Sequence, residues 1–585
     1  MTESWTGASP KTYWRDRRLV PRGSEERVPD ANIAERLRDL AARRPDQAAV
    51  REPIGREGRG DVGGAGGSQV RYATWTFREL DAEVDRLCHA LVRIGLERGM
   101  RTVLMVRPGR DFFAIAFALF RIGAVPVLID PGLGLRPIRR ALAEATPEAF
   151  IGVRKAHLAR LVLGWGRPTV RIAVATDGRI PRFAPSLASL RLYAEPNVPY
   201  SPPRTRADET AAILFTSGST GAPKGAVYHH GILTAQADLL RDLYGIAEGE
   251  VDLPTFPLFA LFDVALGMTA VIPEMDFTRP GDADPAKLIE AIERFAVRNL
   301  FASPALLRTL ARHGEATGRR LPSLERVLSA GAPVPAAEIE RLVAMLRAGV
   351  QVHTPYGATE ALPVASIGSD ELLPTAEQTR AGAGVCVGRP APGIEVAIVP
   401  VMREPIARLT SELRLPPGRV GEICVRGRIV SRSYFGRPDA NRFAKIIDGH
   451  RLWHRMGDLG GFDPEGRLWF LGRKADRVET AEGPLDTAAV EGVFDAHPAV
   501  RRSALVGIGP RGEQRAVVCV ELEPGTGGKG TVVAELRDLA KRLPLTRGID
   551  TFLIHPRFPV DIRHNAKIRR EELALWAGEK IGGPR

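Results

Sequence analysis

The sequence predicts an α/β protein with a large N-terminal domain of parallel α/β sheets. A small β-barrel subdomain or distorted sheet completes that domain, and a small mobile α+β domain follows it. Three observations lead there. The chain has 585 residues, and one hydrophobic core rarely grows beyond roughly 250–300 residues, so two or more domains are expected. Short apolar runs alternate with amphipathic helical patterns as far as about residue 400, which argues for largely parallel sheets. Beyond about Pro390 the runs become β-rich and turn-separated, and near Gly472 the character changes again. The expected division is a leader at 1–30, a large domain at 31–472 with its β-rich part at 390–472, and a small domain at 473–585.

The elements follow in order. A strand-like run starts within 45–50. Residues 52–68 hold seven glycines and read as a mobile loop. Thr76 caps an amphipathic helix whose Leu80, Val84, Leu87, Leu91 and Ile94 recur at helical spacing. VLMV at 103–106 is a buried strand. FFAIAFALFRIG is a buried helix, and AVPVLID a buried strand. AAILFT at 211–216 is another apolar strand. Helices at 232–243, 287–296, 304–313 and 335–346 alternate with strands NLFAS and RVLSAG. EVAIV, VGEICVRG and RLWFLG build the β-rich part. The last segment reads as helix, two strands and helix. There GIGPRG at 507–512 matches GxGxxG, but a strand follows it instead of a helix, so it is a hairpin turn.

The net charge is +13 and the isoelectric point about 9.9, a balance that attracts polyanions. Aromatics make up 6% and do not interleave with basic runs, so nucleic acid is not expected as a partner. Cys88, Cys386, Cys424 and Cys519 are too far apart for a CxxC metal site or a disulfide framework and fit burial in a reducing cytoplasm. The first residues lack an apolar signal region. The most apolar stretch, 111–131, is broken by Arg121, Gly123 and Pro126 and falls short of the roughly 20 residues a membrane span needs. The first reading of the basic charge is a solvated Arg-rich surface; it also weakly favours acidic lipid surfaces as a peripheral contact.

The segment TSGSTGAPKG carries the chemistry. It follows the strand AAILF directly. Gly218, Gly221 and Gly225 allow close backbone approach. Thr216, Ser217, Ser219 and Thr220 add hydroxyls, and Lys224 adds a charge. Such a concave array of donors suits a polyphosphate. It is not the GxxxxGK[ST] loop: counting from Gly218, Pro223 stands where the second glycine belongs and Gly225 where Ser or Thr belongs.

This loop resembles the signature of the acyl-adenylate-forming superfamily, which includes acyl-CoA synthetases, peptide-synthetase adenylation domains and luciferases. The resemblance runs from about residue 33 to 577, with further motifs in order: SAGAP (329–333), YGATE (356–360), HRMGD (454–458), GR (472–473) and HNAKI (564–568). It implies ATP as substrate and Mg2+ as cofactor. It implies that Tyr356, with Gly357, stacks on adenine while the backbone of Ala330, Gly331 and Ala332 meets its edge. Asp458, an acceptor-only carboxylate, would take the ribose hydroxyls, and Arg473 would reach ribose or α-phosphate oxygens. Glu360 would be the magnesium ligand, oxygen being what this hard ion prefers, and Thr359 would contact the α-phosphate. Lys567 would bridge the substrate carboxylate and the α-phosphate.

A narrower likeness follows. DLPTFPLFALFDVALGM, GRKADRVETAEGPL and FPVDIRHNAKI look like the β-lactone synthetases of bacterial long-chain olefin biosynthesis. The implied substrate is a long-chain β-hydroxy fatty acid, adenylated and then closed by its own hydroxyl. The implied assembly partners are a β-lactone decarboxylase and a β-keto acid reductase. Departures from the wider superfamily agree: Ala260 follows PLF where many CoA ligases have His, Ala475 replaces the hinge residue, Glu479 stands where Lys is frequent, and Ala566 precedes Lys567. A long-chain fatty acyl-CoA or acyl-AMP ligase is the second reading. The apolar acyl pocket is expected from residues 256–266 and 301–307.

Overall fold

The computed structural model describes residues 29–57, 69–194, 198–216, 223–449, 451–561 and 567–582. Residues 1–28 of the expected leader, most of the glycine-rich loop, and Ser217, Gly218, Ser219, Thr220 and Gly221 lie outside them.

Two sheets of mainly parallel strands form the first part. One has six strands in the order 172–175, 149–152, 101–105, 125–129, 210–216 and 224–229; only the last pairing is antiparallel. The other has seven, from Gln351–His353 across to Ala48–Glu57, with Gln69–Thr76 added antiparallel at its edge. The alternation of apolar runs and helices is thus realised as expected. One reading changes. Residues 52–57, assigned to the glycine-rich loop, are strand, because they pair across to Gln69–Thr76, a strand the sequence reading did not recognise.

Thr76 caps as expected. Its hydroxyl accepts from Glu79 N, and the Glu79 carboxylate accepts from Thr76 N, a closed capping box. Helix Arg110–Ile122 is buried along its length, including Arg121. That cation is tolerated because Asp81 and Asp85 pair with it and Ala34 O accepts from it, as a buried charge requires. Arg121 thereby ties three helices together.

A third sheet of eight antiparallel strands runs along 356–358, 361–366, 385–390, 468–473, 451–462, 421–426 and 395–399, with 445–448 against 451–462. It begins at Tyr356, ahead of the point near 390 where the composition changes. The C-terminal part holds a three-stranded sheet, 500–508, 515–522 and 551–554, with helices Thr487–Phe494, Lys529–Lys541 and Arg570–Gly582. Residues 507–512 lie at the turn of its hairpin, so GIGPRG is not a nucleotide loop. All four cysteines are buried and free. Among the described residues no helix is long and apolar enough to cross a membrane.

Asp252 on strand Val251–Pro254 and Asp263 on helix Pro257–Ala265 form a buried carboxyl pair. Burial pushes Asp252 up to about 7, and burial with the neighbouring carboxylate raises Asp263 further. The folded state therefore holds protons that the unfolded state releases. Stability from this pair is complete below the ordinary carboxylate range and is lost as pH rises toward and through 7. Asp263→Asn keeps the shape and removes one charge. Its Tm at pH 8 is expected to exceed the parent's, by on the order of a few kcal/mol of stability, with little difference at pH 4. Parallel Tm curves for parent and variant would reject this account.

Candidate active site

The three large sheets and the C-terminal segment meet at a cleft of ≈ 2130 Å3. Every described candidate residue lines it: Thr216, Lys224, Ala330, Gly331, Ala332, Tyr356, Gly357, Thr359, Glu360, Asp458, Arg473 and Lys567.

The floor comes from the antiparallel sheet. Tyr356 and Asp458 stand on different strands, and the Tyr356 hydroxyl donates to Asp458 Oδ2 at 2.7 Å. Cross-strand pairing sets Arg473 beside Asp458, with Nε 3.1 Å from Oδ1. That contact is an ion pair without hydrogen-bond alignment, so Oδ1 is buried with no donor on it. Burial raises the Asp458 carboxyl; Arg473, the Tyr356 hydroxyl and the Lys567 charge oppose it. A buried acceptor without a donor is costly unless a ligand supplies one. The Lys567 charge acts on Asp458 although 109 residues separate them in sequence, so the C-terminal segment is folded over the floor.

Lys567 is set at the base of its loop. Its N–H donates to Asp561 Oδ1 at 2.8 Å, its carbonyl accepts from Asp561 N at 2.9 Å, and Val560 pairs with Ile568 beside it.

The turn after Tyr356 is held from below. A Cβ on Gly357 would lie 2.4 Å from Ala361 O, so only glycine fits. Thr359 O accepts from the Tyr228 hydroxyl at 2.6 Å, and Glu360 Oε1 accepts from the Tyr434 hydroxyl at 2.6 Å. Lys224 Nζ sits 5.4 Å from the Tyr434 ring centroid and Lys445 Nζ 5.6 Å, within cation–π range. Burial pushes Lys445 down to about 7, with the Glu360 charge opposing. Gly331 has φ +102°, which allows the 329–333 loop its sharp turn into the cleft. Ser329 Oγ is buried there without a partner.

An apolar arm opens beside this floor. Phe256, Leu258, Phe259, Leu261 and Phe262 line it with Phe301, and the Phe259 and Phe301 rings stack at 4.1 Å. Both segments expected to form the acyl pocket contribute. Ala260 points away, buried and off the cleft lining.

Tyr434, Tyr228 and Lys445 were not identified from sequence. They act across separations of 74 and 131 residues, and no short motif marks them. His229, His230 and His353, which lie near motifs, do not line the cleft. Burial pushes the first two down to about 4, so they are neutral near pH 7.

Strand-end residues Thr216 and Lys224, the buried Asp458 carboxylate and Lys567 from the C-terminal segment thus face one cleft. Residues 37–435 match the model of the AMP-binding enzyme family, and the chain belongs to that family. It is 49% identical over 555 residues to the olefin beta-lactone synthetase of Stenotrophomonas maltophilia, covering 94% of this chain and 98% of that one. It is likewise 49% identical over 556 residues to the olefin beta-lactone synthetase of Xanthomonas campestris pv. campestris, with the same coverage. The amide bond synthetase McbA of Marinactinospora thermotolerans superposes with a TM-score of 0.74 at 25% identity, covering 94% of this chain and 99% of that one.

Proposed function

We propose that this enzyme adenylates a long-chain β-hydroxy fatty acid with ATP and then closes it to a β-lactone. The observation that carries the reading is the cleft, where an apolar arm opens beside a floor built for a nucleotide. The likeness to olefin beta-lactone synthetases along nearly the whole chain supports the choice of acyl acceptor.

The Asp458 carboxylate accepts from the ribose hydroxyls, with Oδ1 ready for this and Tyr356 fixing Oδ2. Arg473 balances the Asp458 charge and offers its remaining N–H groups to ribose or phosphate oxygens. Tyr356 covers one adenine face, and the backbone of Ala330, Gly331 and Ala332 meets its edge. Thr216, Ser217, Gly218, Ser219, Thr220, Gly221 and Lys224 hold the phosphates, and Thr359 reaches the α-phosphate. Glu360 is positioned by Tyr434 to hold magnesium, which supplies charge neutralisation when bound.

Lys567 then draws the substrate carboxylate and the α-phosphate together. A carboxylate oxygen attacks phosphorus, the bond to the β-phosphate breaks, and pyrophosphate leaves. The β-hydroxyl oxygen next attacks the acyl carbon. The carbon–oxygen bond to AMP breaks, the hydroxyl proton is released, and the four-membered ring closes. Holding both groups in one molecule makes this step unimolecular. Glu479, where the wider family often has Lys, pairs with the exposed Arg403 at 2.8 Å, so an acid stands here where the thioester-forming relatives often carry a base. A cytoplasmic setting and assembly with a β-lactone decarboxylase and a β-keto acid reductase belong to the same reading.

The test is direct. A racemic long-chain β-hydroxy fatty acid with ATP and Mg2+ is expected to give a product lighter by one water, with AMP and pyrophosphate, in the absence of CoA. Mass spectrometry and NMR of the ring protons identify it. Product that forms only with CoA would establish the acyl-CoA ligase reading instead.

A further inference from the structure

One helix of the six-stranded layer is left under-buried. In Arg154–Leu163 the buried residue is His157, whose Nε2 meets Val174 O at 2.9 Å. Ala156, Ala159 and Leu163 pack toward the sheet. At 100° per residue, Arg154, Lys155, Leu158 and Val162 fall together on the opposite arc. Leu158 is 55% exposed and Val162 83%, the reverse of what a solvent-facing arc normally carries. The neighbouring strand Ile172–Ala175 is the edge of its sheet. The segment after it folds back beside the first helical turn, with Arg154 N donating to Asp177 Oδ1 at 2.6 Å. It carries Phe183, 56% exposed.

The charge here is one-sided. Residues 153–183 contain seven basic residues and a single acidic one, Asp177. The excess of six is nearly half of the net +13 of the whole chain. Leu158, Val162 and Phe183 line neither of the two described cavities; they stand on an outer helix and turn instead. Aliphatic side chains on an outward helix face, set among cations, match the requirements of an interface between lipid headgroups and acyl chains.

We propose that this face docks the enzyme on an anionic lipid bilayer surface. The apolar side chains enter the headgroup boundary, and the surrounding Arg and Lys side chains meet lipid phosphates. The docking does not depend on which acyl acceptor the active site uses.

The experiment is co-sedimentation of the full chain with vesicles of phosphatidylglycerol and phosphatidylcholine, compared with phosphatidylcholine alone. The parent is expected to pellet with the anionic vesicles and to be released by salt. Leu158→Glu/Val162→Glu is expected to weaken partitioning by about tenfold or more. Arg154→Ala/Lys155→Ala is expected to weaken it by about fivefold per cation removed. Both variants should keep the parent's Tm and pyrophosphate exchange, because the substituted side chains are exposed and lie outside the cleft. No binding to anionic vesicles at low salt overturns the proposal, and so does equal binding by parent and both variants. A parent dimer that Leu158→Glu/Val162→Glu converts to monomer, without vesicle binding by either, assigns the face to self-association and also overturns it.

Discussion

Lys567→Ala is expected to lower adenylate formation by about 10²–10³-fold or more, the scale on which removing one electrostatic stabiliser of a transition state acts. Adenylation brings a carboxylate and a phosphate together, and in the proposed mechanism the lysine cation neutralises both as they meet. Lys567 lines the cleft, and its charge reaches Asp458, but it stands on the C-terminal segment, apart from the strands that carry Tyr356, Asp458 and Arg473. Binding and chemistry should therefore separate. ATP–pyrophosphate exchange reports the chemical step, and a fluorescence titration with ATP should be essentially unchanged. Lys567→Arg keeps the charge but changes its shape and reach, and should recover only part of the rate. Near-normal exchange by Lys567→Ala would remove the lysine from the mechanism.

Asp458→Ala is expected to act on the other side of that division. Hydrogen bonds to a charged group contribute about 1.5–3 kcal/mol each, so losing the ribose acceptor should raise the KM for ATP by about 10²-fold. The same change leaves Arg473 and the Tyr356 hydroxyl without their partner, so some loss of Tm accompanies it. Asp458→Asn separates the two effects. Its amide oxygen can still accept from Tyr356, so the fold is retained, while the charge that balances Arg473 is gone. A KM for ATP unchanged in both variants would contradict the ribose assignment.

The residues that line the cleft were legible in sequence because each motif is a short run tied to one turn or strand end. YGATE needs its glycine where a Cβ would strike Ala361 O. HRMGD and the following GR place Asp458 and Arg473 on adjacent strands in direct register. The fold was legible for a related reason. Buried parallel strands leave continuous apolar runs, and helices leave a periodic stripe.

What escaped was non-local. Gln69–Thr76 became a strand only through pairing across the glycine-rich segment. The Tyr434 hydroxyl found Glu360 across 74 residues, on a strap whose own sequence gives no sign of the contact. The Asp252 and Asp263 pair sits within a stretch that reads simply as apolar, and nothing in it announces two carboxyls sharing one buried space. The first antiparallel strands at Tyr356 were hidden because a three-residue strand is too short to show a period.

Two kinds of ion pair hold the C-terminal part that carries Lys567. Arg570, three residues beyond Lys567, grips Glu491 with both guanidinium Nη atoms, at 2.5 and 2.9 Å, within a buried setting. Both ends of that pair lie within the C-terminal part. A second tie reaches out of it. Arg312 spans Glu338 on one side and Glu523 on the other, at 3.2 and 2.7 Å, with Arg312 40% exposed. A partly exposed ion pair of this kind is worth roughly 0–1 kcal/mol. The C-terminal part is thus tied internally by a buried pair, and tied to the rest of the chain partly by ion pairs that water reaches, Arg312 with Glu523 and Arg403 with Glu479; added salt is expected to weaken the second kind of tie and spare the first.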